Sequence, residues 1–549
     1  MLFGLPQLVT ALCGASLVAA QTYPITGVKV AAGADVPIRR NIDYMFAVRG
    51  PQWDLYIRAL LEMQKTAATN QLSYFQISGI HGKPYIEWNG AGAGTSNGWE
   101  GYCPHGENLF LPWHRPYTVL FEQRLVEIAL KLANQYPTAH RAKYVAAAQT
   151  LRSPYWDWAR TLAVPQATVQ KSYNVQVPNG SGLKTQSVAN PLAGYSFPQG
   201  ALNGQFGTFD EPENRPRIYR CLSPQSYPSS ANGLIGSRSY KQWVYDAFTS
   251  STTFDEFAST GSTGISLEQI HNSIHWDGAC GYQFVDADFA AFDPLFMLHH
   301  TNIDRLWAYW QFIRPNQATF TRSYRGSARF NTREGTTITP NSPLQPFFAS
   351  AGTFHTPNSV SSIKSFGYTY ETLDYNKKSA SQLTRDATAL INSLYGPAGT
   401  RKTKRSEEKR ADGDLTRYFA QINVQVEELN RPCSIGLFVN TTNVGNFIVL
   451  MLPASGPFNG KFSLDRAADP DEVAGEEPKG VVNDILAGLR VSITGHDGVE
   501  QPLSEVPSLK ITLENANVVT PDSSDQLTKY TDSETVTVPK KKIKPPVTN

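Results

Sequence analysis

The chain has 549 residues, and its 49 Lys and Arg nearly balance its 47 Asp and Glu for a formal net charge of +2. Such an even balance lacks the basic footprint of a nucleic-acid binder, and beyond the first residues no apolar run is long enough to span a membrane. The length exceeds what one hydrophobic core usually fills, so at least two domains are expected.

Residues 1–20 read as a secretory signal peptide. The apolar run Leu8–Ala20 ends in Val18-Ala19-Ala20 before Gln21, a hydrophobic core followed by a small-residue cleavage site. A secreted, extracellular chain starting at Gln21 follows. The remaining cysteines, Cys103, Cys221, Cys280 and Cys433, are too few for a disulfide scaffold, although Cys221 and Cys280 could pair in an oxidising compartment. Asn179-Gly180-Ser181 and Asn440-Thr441-Thr442 are glycosylation sequons.

From Gln21 to Arg40 the reading is irregular, punctuated by Pro24, Gly27, Gly33 and Pro37. Trp53, Tyr56, Ile57, Leu60, Leu61 and Gln64 then mark one face of a helix from Pro51 to about Ala68. The glycine-rich stretch 79–99 carries His81 and precedes Cys103-Pro104-His105-Gly106 and Leu111-Pro112-Trp113-His114-Arg115. Pro116 is predicted to open a long amphipathic helix ending before Pro137, with His114 at or just before its start.

The stretch Ser266–Trp310 organises the chain. Ser266 at the N-cap with Gln269 three residues on is a capping box, so Ile270–Trp276 should be helical and His271 and His275 should share one face a turn apart. Asp293-Pro294 predicts a second helix start, carrying His299 and His300 toward Asp304 and Trp307. Only one of these two histidines is expected to face the first pair. Phe296, His300 and Asp304 fall on one stripe, whereas Leu295, His299, Ile303 and Leu306 read as core, so His300 is chosen. Asp304 is expected to orient an imidazole from behind.

A lone helical histidine is more often a core or solvated residue than a ligand, but six that converge weaken that reading. Of ten histidines, His81, His105 and His114 with His271, His275 and His300 form a three-plus-three set, leaving His140, His299, His355 and His496. Imidazole suits zinc, copper, iron and nickel alike. Di-iron bundles use repeated Glu-x-x-His motifs, and binuclear zinc hydrolases usually need a bridging carboxylate; neither stands at ligand spacing here, which favours a copper pair.

Between residues 396 and 414 lies a charged, apolar-free run with dibasic pairs ending at Arg405 and Arg410, a solvated linker and two processing-protease sites. Beyond it, period-two alternation from Tyr418 to Val426 and strand-like runs at 435–439, 447–452, 489–493 and 509–513 predict an all-β sandwich. The expected organisation is a mainly α catalytic domain at 21–397, a linker at 398–414, the sandwich at 415–535 and a disordered basic tail at 536–549.

The pattern Pro112-Trp113-His114-Arg115, His271-x-x-x-His275 and Asp293-Pro294-x-Phe296-x-x-His299-His300-x-x-x-Asp304-Arg305, with Ser153-Pro154-Tyr155-Trp156-Asp157-Trp158 between, resembles the two copper signatures of tyrosinases, most like those secreted by filamentous fungi. The resemblance covers most of Gln21 to about Pro397 and continues more weakly beyond. It implies a helical bundle around two copper ions, the first on His81, His105 and His114 and the second on His271, His275 and His300. Dioxygen would be the co-substrate, small monophenols such as tyrosine would be ortho-hydroxylated, and o-diphenols would be oxidised to o-quinones. It further implies a thioether from Cys103 to His105, Phe296 stacked near the second copper, and Glu268 and Asn272 holding a water that helps deprotonate the phenol. Asp157 would orient a ligand histidine, and Arg39 or Arg40 would meet Tyr368-x-Tyr370 to close the domain. The C-terminal domain would cover the site and keep a proenzyme latent, with Phe458, in the turn-rich loop 453–460, as the candidate plug. A catechol oxidase without hydroxylase activity, or a hemocyanin-like oxygen carrier, is the alternative the same ligand set allows.

Overall fold

The computed structural model describes residues 22–397 and 415–546, so the leader and the dibasic pairs ending at Arg405 and Arg410 lie outside the described residues. A helical region comes first. Helix α1 (Pro51–Lys65) starts with proline at its first position, where the missing N–H needs no partner, and buries Trp53, Tyr56, Ile57 and Leu60. It packs along α2 (Phe110–Ala133), whose residues 110–122 are all buried. α2 begins six residues before Pro116. Pro112 sits in the first turn, where N–H groups are unpaired anyway, and Pro116 forfeits only one intrahelical bond, a loss that burial on every side offsets. His114 is therefore inside a helix, not at its start.

Helix α3 (Tyr240–Ser250) leads to α4 (Leu267–Gly278) and α5 (Leu295–Ile313), and α6 (Ala380–Tyr395) packs back onto α5. Ser266 caps α4 by accepting the Gln269 N–H at 3.1 Å, and Asp293 accepts the Leu295 N–H at 2.8 Å. The reciprocal half of the expected capping box does not form, because the Gln269 amide is engaged by the C-terminal domain. Between α2 and α3, in a stretch with no element predicted from the sequence, a hairpin of β1 (Ser172–Asn179) and β2 (Gly182–Ala189) forms. Cys221 and Cys280 are joined in a disulfide.

The C-terminal domain is two antiparallel sheets. With β3 (Thr416–Gln425), β4 (Cys433–Val439), β5 (Thr442–Val449), β6 (Pro457–Ser463), β7 (Leu489–Gly495), β8 (Lys510–Val519) and β9 (Lys529–Thr537), the strand orders are β6-β3-β8-β9 and β7-β4-β5. It is not purely β, since α7 (Pro478–Gly488) precedes β7. The segment read as a disordered tail also differs. β9 runs to Thr537, Val538 is buried, and the Lys544 carbonyl accepts the Val491 N–H at 2.8 Å, so the Lys540–Lys544 run lies along the edge of β7.

Aromatic stacking joins the two regions. Trp243 of α3 stacks on Phe462 of β6 with centroids 4.7 Å apart, and Phe462 stacks on Phe447 of β5 at 4.0 Å. Only glycine admits this stack: a Cβ on Gly460 would stand 2.4 Å from the Phe447 ring, and one on Gly445 2.6 Å from Phe462. Beside it Arg417 of β3 reaches both oxygens of Asp246 on α3, at 2.6 and 3.0 Å, and Asp465 at 2.6 Å.

Behind the histidine helices lies a dry ionic network. Asp304 accepts Arg115 Nε at 2.5 Å, Arg39 Nη1 at 2.9 Å and the hydroxyls of Tyr368 and Tyr370 at 2.7 Å each. Arg39 also pairs with Glu122 at 2.7 Å and lies 3.5 Å over the Tyr368 ring, so it is Arg39, not Arg40, that closes the N-terminal segment against the Tyr368-x-Tyr370 pair. Burial would raise the Asp304 carboxyl, but the Arg115 and Arg39 cations outweigh it and hold the group below the usual carboxylate range. Asp304 thus orients no imidazole. Asp157 likewise takes Tyr395 OH at 2.9 Å and Arg305 Nη1 at 3.3 Å, tying α5 to α6. Both expectations fail for one reason: a buried carboxylate needs full positive charges or several donors, and neutral imidazoles offer less than arginine. Asp304→Ala leaves the buried Arg115 guanidinium without its carboxylate and Arg39 with Glu122 alone, so it should lower stability to denaturant by about 3–5 kcal/mol, the range for breaking a buried ion pair. Unfolding followed by tryptophan fluorescence measures this, and a wild-type midpoint would contradict the network's structural role.

Candidate metal centre

His81, His105 and His114, with Cys103, form one buried group of ligand atoms within 4.8 Å of one another, and His271, His275, His299 and His300 form a second. The groups adjoin: the His114 and His300 rings stack at 4.3 Å, and His105 and His271 are 5.5 Å apart. Five elements deliver them, namely the two loops holding His81 and His105 and the helices α2, α4 and α5.

What aims the rings is the partner of each Nδ1. His81 meets the Ala287 carbonyl at 2.7 Å, His114 the Phe110 carbonyl at 2.7 Å, and His275 the Phe284 carbonyl at 2.6 Å. His105 meets Glu268 Oε1 at 3.1 Å, and His271 meets Asn272 Oδ1 at 2.9 Å, the Asn272 amide nitrogen being donated to the Ile448 carbonyl at 3.3 Å. Each of these partners can only accept, so in all five rings Nδ1 carries the proton and Nε2 carries the lone pair. Burial first, then neighbouring imidazoles, push His81 down to about 3 and hold His114, His271, His275 and His300 well below the usual histidine range, so these rings are neutral.

The consequence is electrostatic. His275 Nε2 lies 2.9 Å from His271 Nε2, and both are lone pairs. Two such atoms repel unless a cation lies between them. Nitrogens each about 2.0 Å from one ion stand roughly 3 Å apart, and His300 Nε2 is 3.2 Å from the same His271 Nε2. His81 Nε2 is buried without a hydrogen-bond partner among the described residues. The donor set fits metal ions.

Both adjacent histidines face the pair, where the sequence reading expected one. The His299 ring stacks 4.9 Å from His271, and His300 is 4.8 Å from it, because α4 lies across the start of α5 where successive side chains diverge by a hundred degrees. They differ in chemistry. Trp158 Nε1 donates to His299 Nδ1 at 3.1 Å, and an indole N–H is only a donor. That bond occupies the His299 Nδ1 lone pair and leaves its proton on Nε2, so neither nitrogen is free for a metal. His300 Nδ1 has no partner among the described residues; the ring is held instead between Phe296, stacked at 4.1 Å, and His114. Phe296 therefore positions a ring of the second group. Sequence reasoning gave the role in the Trp-Asp-Trp segment to Asp157 and missed the Trp158 contact beside it.

Glu268 is 1% exposed and lies against His105, on the first group, not the second. Asn272 braces His271. Cys103 is a buried thiol whose Sγ lies 3.5 Å from His114 Nε2. The C-terminal domain closes this side. Ile448 and Leu450 pack with Val285 and Trp276, and Leu452–Ser455 share with Cys103, Pro104, His105 and Glu107 a cavity of about 230 Å³. Phe458 is not there. It belongs to β6, pairs with Val424, and points with Phe462 toward Phe447 inside the sandwich, because positions two apart on a strand share a face. The segment over the histidines is 448–455.

A family model described as the common central domain of tyrosinase matches residues 71–313. A tyrosinase of Podospora anserina is 36% identical over 402 residues, covering 68% of this chain and 69% of the relative. A tyrosinase of Neurospora crassa is 35% identical over 406 residues, covering 68% of this chain and 58% of the relative. Among solved structures, recombinant mushroom tyrosinase superposes with a TM-score of 0.79 at 23% identity, over 96% of this chain and all of that one.

His300→Ala should remove one of two bound metal ions, while His299→Asn should retain both. Metal content per chain after reconstitution and gel filtration separates them; loss of metal from the His299 variant alone would reverse the assignment.

Proposed function

The chain belongs to the tyrosinase family, and we propose that it oxidises small phenols with dioxygen at two copper ions, one on His81, His105 and His114, the other on His271, His275 and His300. One observation carries this reading: the imidazole lone pairs of two adjoining, buried groups converge with no carboxylate in either group. Copper(II) heads the divalent affinity order on nitrogen ligands, and an all-imidazole set suits it. A bound copper pair would supply the electron transfer and the activation of dioxygen. In balance, a monophenol and one O2 give an o-quinone and one water, whereas two o-diphenols and one O2 give two o-quinones and two waters.

The protein's part is positioning and proton handling. A phenol of pKa about 10 is mostly neutral at neutral pH, so binding as phenolate calls for a proton acceptor. Glu268, against His105, would take that proton by way of water, and Asn272 lies against His271 of the adjoining group. Phe296 keeps the His300 ring in place, and a thioether from Cys103 to His105 would fix a second ring.

The same reading takes the chain as a secreted proenzyme. Residues 448–455 exclude solvent and substrate from the histidines, and cleavage after Arg405 or Arg410 would release the domain that carries them. Trimming in the linker followed by loss of the C-terminal domain should raise phenol oxidation, measured as quinone formation before and after limited proteolysis. An unchanged rate would argue against latency. At saturating copper, Glu268→Gln should lower monophenol turnover by about 100-fold, within the range for losing a general base, and lower o-diphenol turnover less, by what the weaker aim of His105 costs. Equal losses on both substrates would argue that Glu268 acts through His105 alone, and a wild-type chain that oxidises only o-diphenols would favour the catechol oxidase reading.

A further inference from the structure

Glu268 does not set its own direction. Oε1 accepts His105 Nδ1–H at 3.1 Å and the Gly106 N–H at 2.7 Å, while Oε2 accepts the backbone N–H of Thr260 at 2.9 Å and its hydroxyl at 3.1 Å. Thr260 is 3% exposed. Its carbonyl points the other way and accepts two donors from the C-terminal domain: the backbone N–H of Asn459 at 2.8 Å and the Asn459 side-chain amide at 3.2 Å. Asn459 lies on β6 and is itself held by the Asn423 amide at 2.8 Å.

The backbone packing points the same way. A Cβ on Gly261 would stand 2.3 Å from the Gly106 carbonyl oxygen, so the loop 259–261 lies directly on the segment carrying His105. On its other side a Cβ on Gly106 would meet Pro453 at 2.6 Å. The His105 segment is thus layered between a loop of the helical region and one of the C-terminal domain.

We propose that Thr260 is a positioning residue for the first metal position: it clamps the Glu268 carboxylate that aims His105, and its own place is fixed by Asn459 of the docked C-terminal domain. The inference rests on the reading of His105 as a copper ligand. A glutamate has three rotatable side-chain bonds, and in a buried site its oxygens follow their donors. Removing the Thr260 hydroxyl leaves Oε2 with one donor, and a carboxylate that turns to recover a second draws Oε1 away from His105. Partners of this kind behind a ligand histidine typically change metal affinity about 10–100-fold. The C-terminal domain then acts on the centre in two ways, covering it and holding one of its rings in aim.

The test uses the full-length, metal-free chain titrated with copper(I) against a chromophoric chelator, with thermal unfolding as a check on folding. Thr260→Val keeps the shape and the backbone N–H but loses the hydroxyl, and it should weaken one of the two coppers by about tenfold or more. Thr260→Ser, which restores the hydroxyl, should bind both as wild type does. Asn459→Ala, which removes the side-chain donor to the Thr260 carbonyl together with the acceptor of the Asn423 amide, should weaken the same copper by a smaller factor, and it carries the test if Thr260→Val does not fold. Wild-type affinity in both Thr260→Val and Asn459→Ala, or a Thr260→Ser variant as weak as Thr260→Val, would overturn the inference. A wild-type chain that takes up no copper would overturn the metal assignment and this inference with it, whereas two tightly bound coppers in wild type and variants alike would overturn the inference alone.

Discussion

The centre depends on a hydrogen bond that each imidazole makes on the side away from it. Acceptors that cannot donate, three backbone carbonyls, one carboxylate and one amide oxygen, take the Nδ1 protons and so turn five Nε2 lone pairs inward. Without these acceptors the same rings could hold their protons on either nitrogen and face either way. The acceptors are distributed over distant parts of the chain, from Phe110 to Ala287, so the site exists only when the helical region is assembled. His299 shows the same rule in reverse: a donor, the Trp158 indole, sits where the others have acceptors, and an imidazole in contact with the ligands is kept out of the ligand set.

Assembly is secured by a different kind of force. Asp304, Glu122, Arg39 and Arg115, with Tyr368 and Tyr370, bind α2, α5 and two non-helical segments together out of contact with water. Buried ions of this sort add little net stability compared with an apolar core, but they are unforgiving of partial disruption. They set the register of α2 against α5, and that register decides where His114 and His300 stack.

Much of this was legible in the sequence. The i, i+4 spacing of His271 and His275 is a property of one helix, whereas the stripe argument that set His299 apart as core does not hold, since both rings face the pair and the Trp158 contact is what distinguishes them. What local pattern could not carry was the identity of partners remote in the chain. Asp304 sits one turn beyond His300 and reads as its support, yet the arginines that claim it come from residues 39 and 115. Glu268 reads as a helix-start acid or a base, and nothing in its neighbourhood announces His105. Phe458 was misplaced because Pro, Gly, Ser and Asn around it suggested a turn, while pairing with β3, a tertiary contact, makes residues 457–463 a strand. Pro116 misled in the same way, since an interior proline ends an exposed helix but is carried within one buried on all sides.

The outermost strand of the four-stranded sheet has one further property. β6 lies at the sheet's margin, and its outward backbone groups do not meet water: Gln269 supplies both an amide donor and an acceptor to Lys461, and Thr260 accepts from Asn459. The helical region therefore stands in for a missing neighbour strand. Separation of the two parts would bare an unsatisfied β-margin on the departing fragment, the kind of surface that recruits another extended chain. Intramolecular docking thus doubles as protection against self-association, and a C-terminal fragment cut from the helical region would inherit the tendency to clump.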